Sequence, residues 1–131
     1  MKHDKFIKQV QAAAQLNSKE EAESAIRATL ETLKERIVGD EASQLAAQLP
    51  QEIGKYLQGR EGENGQFFPL LDFYQRVSEK EGLEPTAAAI HVRAVFSVLQ
   101  EAVTPGELAD VRANLSEDYE ELFPTPSRKS V

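Results

Sequence analysis

The stretch RATLETLKERI, residues 27–37, decides the fold because its pattern returns 66 residues later as RAVFSVLQEAV, residues 93–103. In both stretches apolar side chains recur every three or four residues, which is the spacing of one face of an α-helix. The match continues on both sides, since eight apolar positions between residues 26 and 57 have apolar counterparts between 92 and 123. Only seven of these 32 aligned residues are identical, so the shared apolar phase indicates the duplication of a helical unit.

Helix start and stop signals divide the chain around these two stretches. Ser18 and Thr104 are each followed three residues later by a glutamate, which is typical of a capping box. Gly39 is a stop signal for the helix that starts at Ser18. We predict that the two long helices, 18–37 and 86–103, lie at the centre of the fold.

The predicted fold is an all-α, compact bundle of about eight helices. It consists of two pseudo-equivalent four-helix repeats, residues 3–58 and 67–123, that share one core. Three glycines and four charged residues without periodicity indicate an exposed, flexible connection over residues 59–66. We therefore predict a single domain over residues 1–123, followed by a disordered tail at residues 124–131.

The composition excludes several classes of function. The chain has 131 residues, no cysteine and a formal net charge of −7, so it has neither disulfides nor thiolate metal ligands. Because nucleic-acid affinity depends on clustered basic residues, we expect no DNA or RNA binding. The opening MKHDKFIKQVQ has no apolar signal core, and no apolar run is long enough to span a membrane. We predict a cytoplasmic protein that does not bind membranes.

The sequence resembles a bacterial family of unknown function whose members show a doubled helical pattern. The segments that carry the likeness are AESAIRATLETLKERI, EASQLAAQLPQEI, HVRAVFSVLQEAV and GELADVRANLSEDYEELF, within residues 4–123. Ser116 stands where the family more often has proline, and serine preserves a helix start. The resemblance implies an all-helical bacterial protein and no assigned activity.

Two arginines are the leading candidates for a binding site. Arg27 and Arg93 occupy the same position of the repeat, one turn before a large apolar residue. In one hypothesis both guanidinium groups converge at the seam between the repeats and bind an anionic ligand or an acidic partner. In the other, each arginine pairs with a carboxylate of its own half, with Glu41 and Glu107 as the suggested partners, and fixes helix packing.

The sequence contains no pattern typical of catalysis or cofactor binding. Glu35 and Glu101 coincide in the repeat, but neither belongs to the Glu-x-x-His spacing of helical carboxylate metal sites. His91 is expected to be a packing residue rather than a general base. There is no nucleophile elbow and no phosphate-binding glycine loop after a strand. We predict no catalytic residue, metal site or cofactor, and hence a protein that is not an enzyme.

Phe67 and Phe68 are the leading candidates for contact with a partner protein. Two adjacent aromatics at a helix entrance either staple the two halves together or remain exposed as an anchor. The leading functional hypothesis is a non-enzymatic interaction or scaffold module that binds another protein or a second copy of itself. The alternative hypothesis is a small-molecule or anion-binding sensor that uses the paired arginines at the seam.

Overall fold

A computed structural model describes residues 1–123, and the described chain is all-helical, as the sequence predicts. The predicted tail, residues 124–131, lies outside the described residues. Within residues 1–123, no strand is present and eight helical segments pack together. Their bounds are α1 His3–Ala13, α2 Lys19–Arg36, α3 Gly39–Ala47, α4 Gln51–Gly54 continued by the 3₁₀ turn Lys55–Leu57, α5 Leu70–Glu81, α6 Pro85–Ala102, α7 Pro105–Ala113, and a 3₁₀ segment Glu117–Leu122.

The long helices α2 and α6 supply the centre of one continuous core. α2 starts with the predicted capping box, in which Ser18 accepts from the Glu21 amide and the Glu21 carboxylate accepts from the Ser18 amide. Its apolar stripe is buried against α1, α5 and α6. The second half adds an aromatic cluster around Phe73, whose ring centroid lies 6.3 Å from that of Phe96 and 5.8 Å from that of Tyr119. Edge-to-face aromatic contacts of this kind add to the stability gained by apolar burial.

The helix bounds follow the spacing of the sequence pattern. α6 and α7 begin and end 66 residues after α2 and α3. The pseudo-equivalence of two four-helix repeats remains a prediction, and superposition of the halves would test it.

The connection between the halves, residues 59–66, is mostly exposed but is bonded to the first half. The Gly39 amide donates to the Glu63 carbonyl at 2.9 Å, and the Gln66 amide donates to the Glu35 carbonyl at 2.9 Å. The Gly62 amide donates to Asp40 Oδ1 at 2.8 Å. These bonds hold the connection against α2 and α3.

Gly39 has a different role from the predicted one, because α2 already ends at Arg36 and Gly39 is the first residue of α3. A Cβ atom at this position would lie 1.6 Å from the Arg60 carbonyl oxygen. Glycine is therefore required by the close approach of the connection to the backbone of α3.

α3 and α7 cross the molecule as an antiparallel pair, which we call the α3–α7 seam. At one end, the Thr104 amide before α7 donates to Gln48 Oε1 at 2.8 Å. At the other end, the Val38 amide before α3 donates to Asn114 Oδ1 at 3.2 Å. Both bonds join the start of one helix to the end of the other, and they join residues that match at the 66-residue spacing.

Candidate functional site

The two candidate arginines lie in separate ion pairs. Arg27 Nε donates to Glu31 Oε2 at 3.1 Å on the same helix, and Arg93 Nη2 donates to Glu121 Oε2 at 3.1 Å. Both arginine side chains are more than half exposed. Each arginine thus pairs with a carboxylate of its own half, but the suggested pairs with Glu41 and Glu107 are not formed. Local partners replace them, because Glu31 lies one turn beyond Arg27.

Arg27 borders an open groove of about 510 Å³ on the surface of α2. The groove is lined by Glu23, Ser24, Arg27, Ala28, Glu31, Tyr56 and Lys80. Arg27 bonds to Glu31, and Lys80 Nζ bonds to Glu35 Oε2 at 3.0 Å. The two cations of the groove are therefore already neutralised by protein carboxylates, and Arg93 is not among its lining residues.

Glu35 is a structural ion-pair residue. Burial alone would raise its pKa, but hydrogen bonds and attraction from Lys80 and Arg76 outweigh that effect and lower the pKa below its usual value. The Arg76 Nη1 to Glu35 Oε1 distance is 3.0 Å. Its counterpart in the second half, Glu101, is exposed. Glu35 thus joins α2 to α5, and no metal site forms between these two glutamates.

Glu41 and Glu107 meet each other instead of the arginines. One carboxylate oxygen from each, together with one from Asp110, lie within 4.8 Å of one another in the α3–α7 seam. Glu107 is 8% exposed, and burial, contact with Glu41 and repulsion from Asp110 raise its pKa to about 8. A hydrogen bond between the two glutamates requires a proton on one of them, because ionised carboxylates only accept. With both ionised, Glu41 Oε2 and Glu107 Oε2 are buried without a hydrogen-bond partner.

Phe67 and Phe68 have opposite environments. Phe68 is 3% exposed, its ring lies 3.7 Å from the Arg76 guanidinium carbon, and its carbonyl accepts from Tyr119 Oη at 2.8 Å. Phe67 is 76% exposed. Of the two predicted roles, Phe68 therefore has the packing role and Phe67 is available to a partner.

The described chain carries one more marker of sequence identity. The conserved family DUF2267, described as an uncharacterised conserved protein, matches residues 3–122. The chain belongs to this family. No curated protein matches it. Among residues 1–123, no helix is both long enough and apolar enough to cross a membrane.

In this DUF2267 chain, the sequence analysis missed Arg36. Its side chain is buried, with Nε donating to the Phe68 carbonyl at 2.9 Å and Nη1 donating to the Asn114 carbonyl at 3.1 Å. Nη2 lies 3.3 Å from Ser116 Oγ. Arg36 therefore connects the end of α2 to the second half of the chain. The repeat gave no signal for it, because the matching residue 66 positions later is Ala102.

His91 is a packing residue in the DUF2267 fold, as expected. Its Nδ1 lies 2.9 Å from Glu81 Oε2, and the side chains are 10% and 3% exposed. Ser24 Oγ contacts the same carboxylate at 3.5 Å. The serine reaches Glu81 rather than the imidazole, so the three groups do not have the order of a nucleophile, base and orienting acid.

Proposed function

We propose that the chain is a non-enzymatic protein-interaction module of the cytoplasm. It binds a segment of a partner protein in which apolar side chains stand next to basic ones. The single observation that supports this proposal most strongly is the exposure of Phe67 and Leu71, at 76% and 77%. Leaving two large apolar side chains in water has no benefit for folding, and exposed apolar residues are typical of contact sites.

The contact surface arises from the backbone that leads into α5. Residues 67–69 approach the helix in an extended conformation, and Pro69 at the cap has φ −75° and ψ 169°. Phe68 and Leu70 are buried, whereas Phe67, Pro69 and Leu71 are exposed. Alternate residues therefore face the core and the solvent. We call Phe67, Pro69 and Leu71 the Phe67 surface.

Nearby charges favour a basic partner over a second copy of this acidic chain. Asp72 is exposed next to Leu71, and Asp118 Oδ2 accepts from the Leu70 amide at 2.6 Å. Glu117 is also exposed and forms no ion pair among residues 1–123. A copy of the same chain would bring like charges together, whereas lysine or arginine beside an apolar anchor would complement them.

The anion-binding alternative has less support. It requires convergent arginines with unsatisfied charge, and Arg27 and Arg93 are bonded to Glu31 and Glu121. The groove beside Arg27 is also open and lined by two further acids.

Site-specific photo-crosslinking tests the proposal. p-Benzoylphenylalanine is placed at position 67 or 71 in cells that produce the protein, with position 90 as the matched control. Ile90 is also exposed, at 52%, but lies on α6. We expect a crosslinked protein at 67 and 71 that is absent at 90, with the crosslink in a segment rich in basic and apolar residues.

The captured protein is then purified and its affinity measured. We expect Phe67→Ser with Leu71→Ser to weaken binding at least tenfold, and Ile90→Ser to leave the Kd unchanged. Equal binding by all three proteins would overturn the proposal. A concentration-dependent dimer of the wild type that Phe67→Ser with Leu71→Ser abolishes would overturn it in favour of a second copy as the occupant.

A further inference from the structure

Three acidic side chains meet in the α3–α7 seam. Glu41 comes from the first turn of α3, Glu107 from the first turn of α7, and Asp110 from the next turn of α7. One oxygen of each carboxylate lies within 4.8 Å of the other two. None of these acids forms an ion pair with a basic residue in the part of the chain that the structure describes.

Glu107 is the observation that distinguishes this cluster from a group of surface acids. Its side chain is 92% buried, and its Oε2 atom contacts neither solvent nor a hydrogen-bond donor. Glu41 Oε2, which belongs to the same cluster, has no donor either. A buried anionic oxygen without a partner is strongly unfavourable, so the seam requires a positively charged or protonated partner for these atoms.

A divalent cation satisfies this requirement better than a shared proton. One proton joins only two carboxylates and leaves two negative charges on the three acids. A divalent ion leaves one negative charge and accepts an oxygen from all three side chains at once. Ligands that are all oxygen select hard cations such as Ca²⁺, Mg²⁺ and Mn²⁺.

The geometry fits a large hard cation. Ca²⁺ binds oxygen at about 2.3–2.6 Å, so oxygens on opposite sides of one ion are up to about 5 Å apart. The 4.8 Å limit of the cluster lies inside this span. Mg²⁺ needs shorter distances of about 2.0–2.1 Å and would require the helices to move closer. Asp110 is exposed, which gives water and the ion access to the site.

We propose that Glu41, Glu107 and Asp110 bind a Ca²⁺-class divalent cation that links α3 to α7, with water completing its coordination. Because only three protein ligands are present, binding is expected in the range of weak calcium sites, with a Kd of about 0.1–1 mM. The bound ion joins the two halves of the chain at a place distant in sequence from the Phe67 surface, so the inference is independent of the proposed function.

Calorimetric titration and thermal unfolding of the chelator-treated full chain test this site. CaCl₂, MnCl₂ and MgCl₂ are the probes. The variants are Glu107→Gln and Asp110→Asn, which preserve size and remove charge. Glu117→Gln is the matched control, because Glu117 is exposed and lies outside the cluster.

At ten times the Kd, we expect Ca²⁺ to raise the Tm of the wild type and of Glu117→Gln by about 4–7 °C. Glu107→Gln and Asp110→Asn are expected to lose most of that shift while remaining folded. A wild-type Tm and heat signal that do not respond to 10 mM of any of the three ions would overturn the proposal, and so would an equal response in all variants.

Discussion

Glu41 and Glu107 are the third residues of α3 and α7, and their carboxylates face each other across the seam between the two halves. At a helix start, a glutamate in this position usually returns to its own cap, as Glu21 does with Ser18. Thr104 accepts from the Glu107 amide, but the Glu107 carboxylate turns away toward Glu41. The local capping pattern is therefore only half realised at α7, and the other half of its chemistry goes into a contact between distant residues.

The first prediction concerns this repulsion in the absence of divalent ions. Glu107→Gln removes a buried charge that has no donor, so we expect the chelator-treated variant to be more stable than the wild type by about 1–3 kcal/mol. Urea denaturation measures this difference. An unchanged or lower free energy of unfolding would show that Glu107 is already neutralised in the folded state.

Arg36 should be the most sensitive charged residue. Arg36→Ala leaves the carbonyls of Phe68 and Asn114 without their guanidinium donor and removes the cation packed between Phe67 and Tyr119. We expect a loss of about 3–5 kcal/mol.

Arg36→Lys should also lose stability, because an ammonium group lacks the planar fork of donors. Arg27→Ala is the control, since its exposed pair on one helix is worth only about 0.3–0.5 kcal/mol. Similar losses at positions 36 and 27 would contradict the assigned role of Arg36.

Close backbone contact predicts which glycines tolerate alanine. A Cβ atom at Gly39 or Gly65 would lie 1.6 or 2.3 Å from a backbone carbonyl oxygen, whereas Gly106 has nothing within 4 Å. Gly39→Ala and Gly65→Ala should each cost at least about 1–3 kcal/mol. Gly106→Ala, in the first turn of α7, should be neutral or stabilising by up to about 1 kcal/mol. Thermal unfolding of the three variants checks the ranking, and an equal Tm for all three would refute it.

The Glu35 ion pairs predict a specific acid sensitivity. Because the folded-state pKa of Glu35 lies below its unfolded value of 4.5, its stabilising effect is present above pH 4.5. This effect is lost as the pH falls through the lowered pKa. We expect Glu35→Gln to reduce the free energy of unfolding at pH 7 and to show a smaller further loss between pH 5 and 3 than the wild type.

Glu101→Gln is the matched control, because Glu101 occupies the equivalent position but is exposed. Its pH profile should follow that of the wild type. If the profile of Glu35→Gln also followed the wild type, the ion pairs with Arg76 and Lys80 would contribute nothing measurable.

Local signals predicted the helices well. Apolar periodicity and caps placed the long helices at 18–37 and 86–103, and the structure has them at Lys19–Arg36 and Pro85–Ala102. These features depend on residues within a few positions of one another, so the sequence displays them directly.

The contacts between distant residues could not be predicted in the same way. Arg36 bonds to groups 32, 78 and 80 residues away, and nothing in its neighbourhood indicates those partners. Glu41 and Glu107 were identified as candidates, but their predicted partners were wrong because proximity along the chain does not reveal which helix faces which. The split between Phe67 and Phe68 likewise depends on the extended entry into α5.

The most direct test of a site shared between the halves is an anomalous difference map from crystals of the full chain soaked in MnCl₂. The account predicts one peak in the α3–α7 seam, within about 2.0–2.6 Å of an oxygen from each of Glu41, Glu107 and Asp110. No peak there, with the Glu41 and Glu107 carboxylates in direct hydrogen-bond contact, would contradict it and would show that the seam is held by a proton.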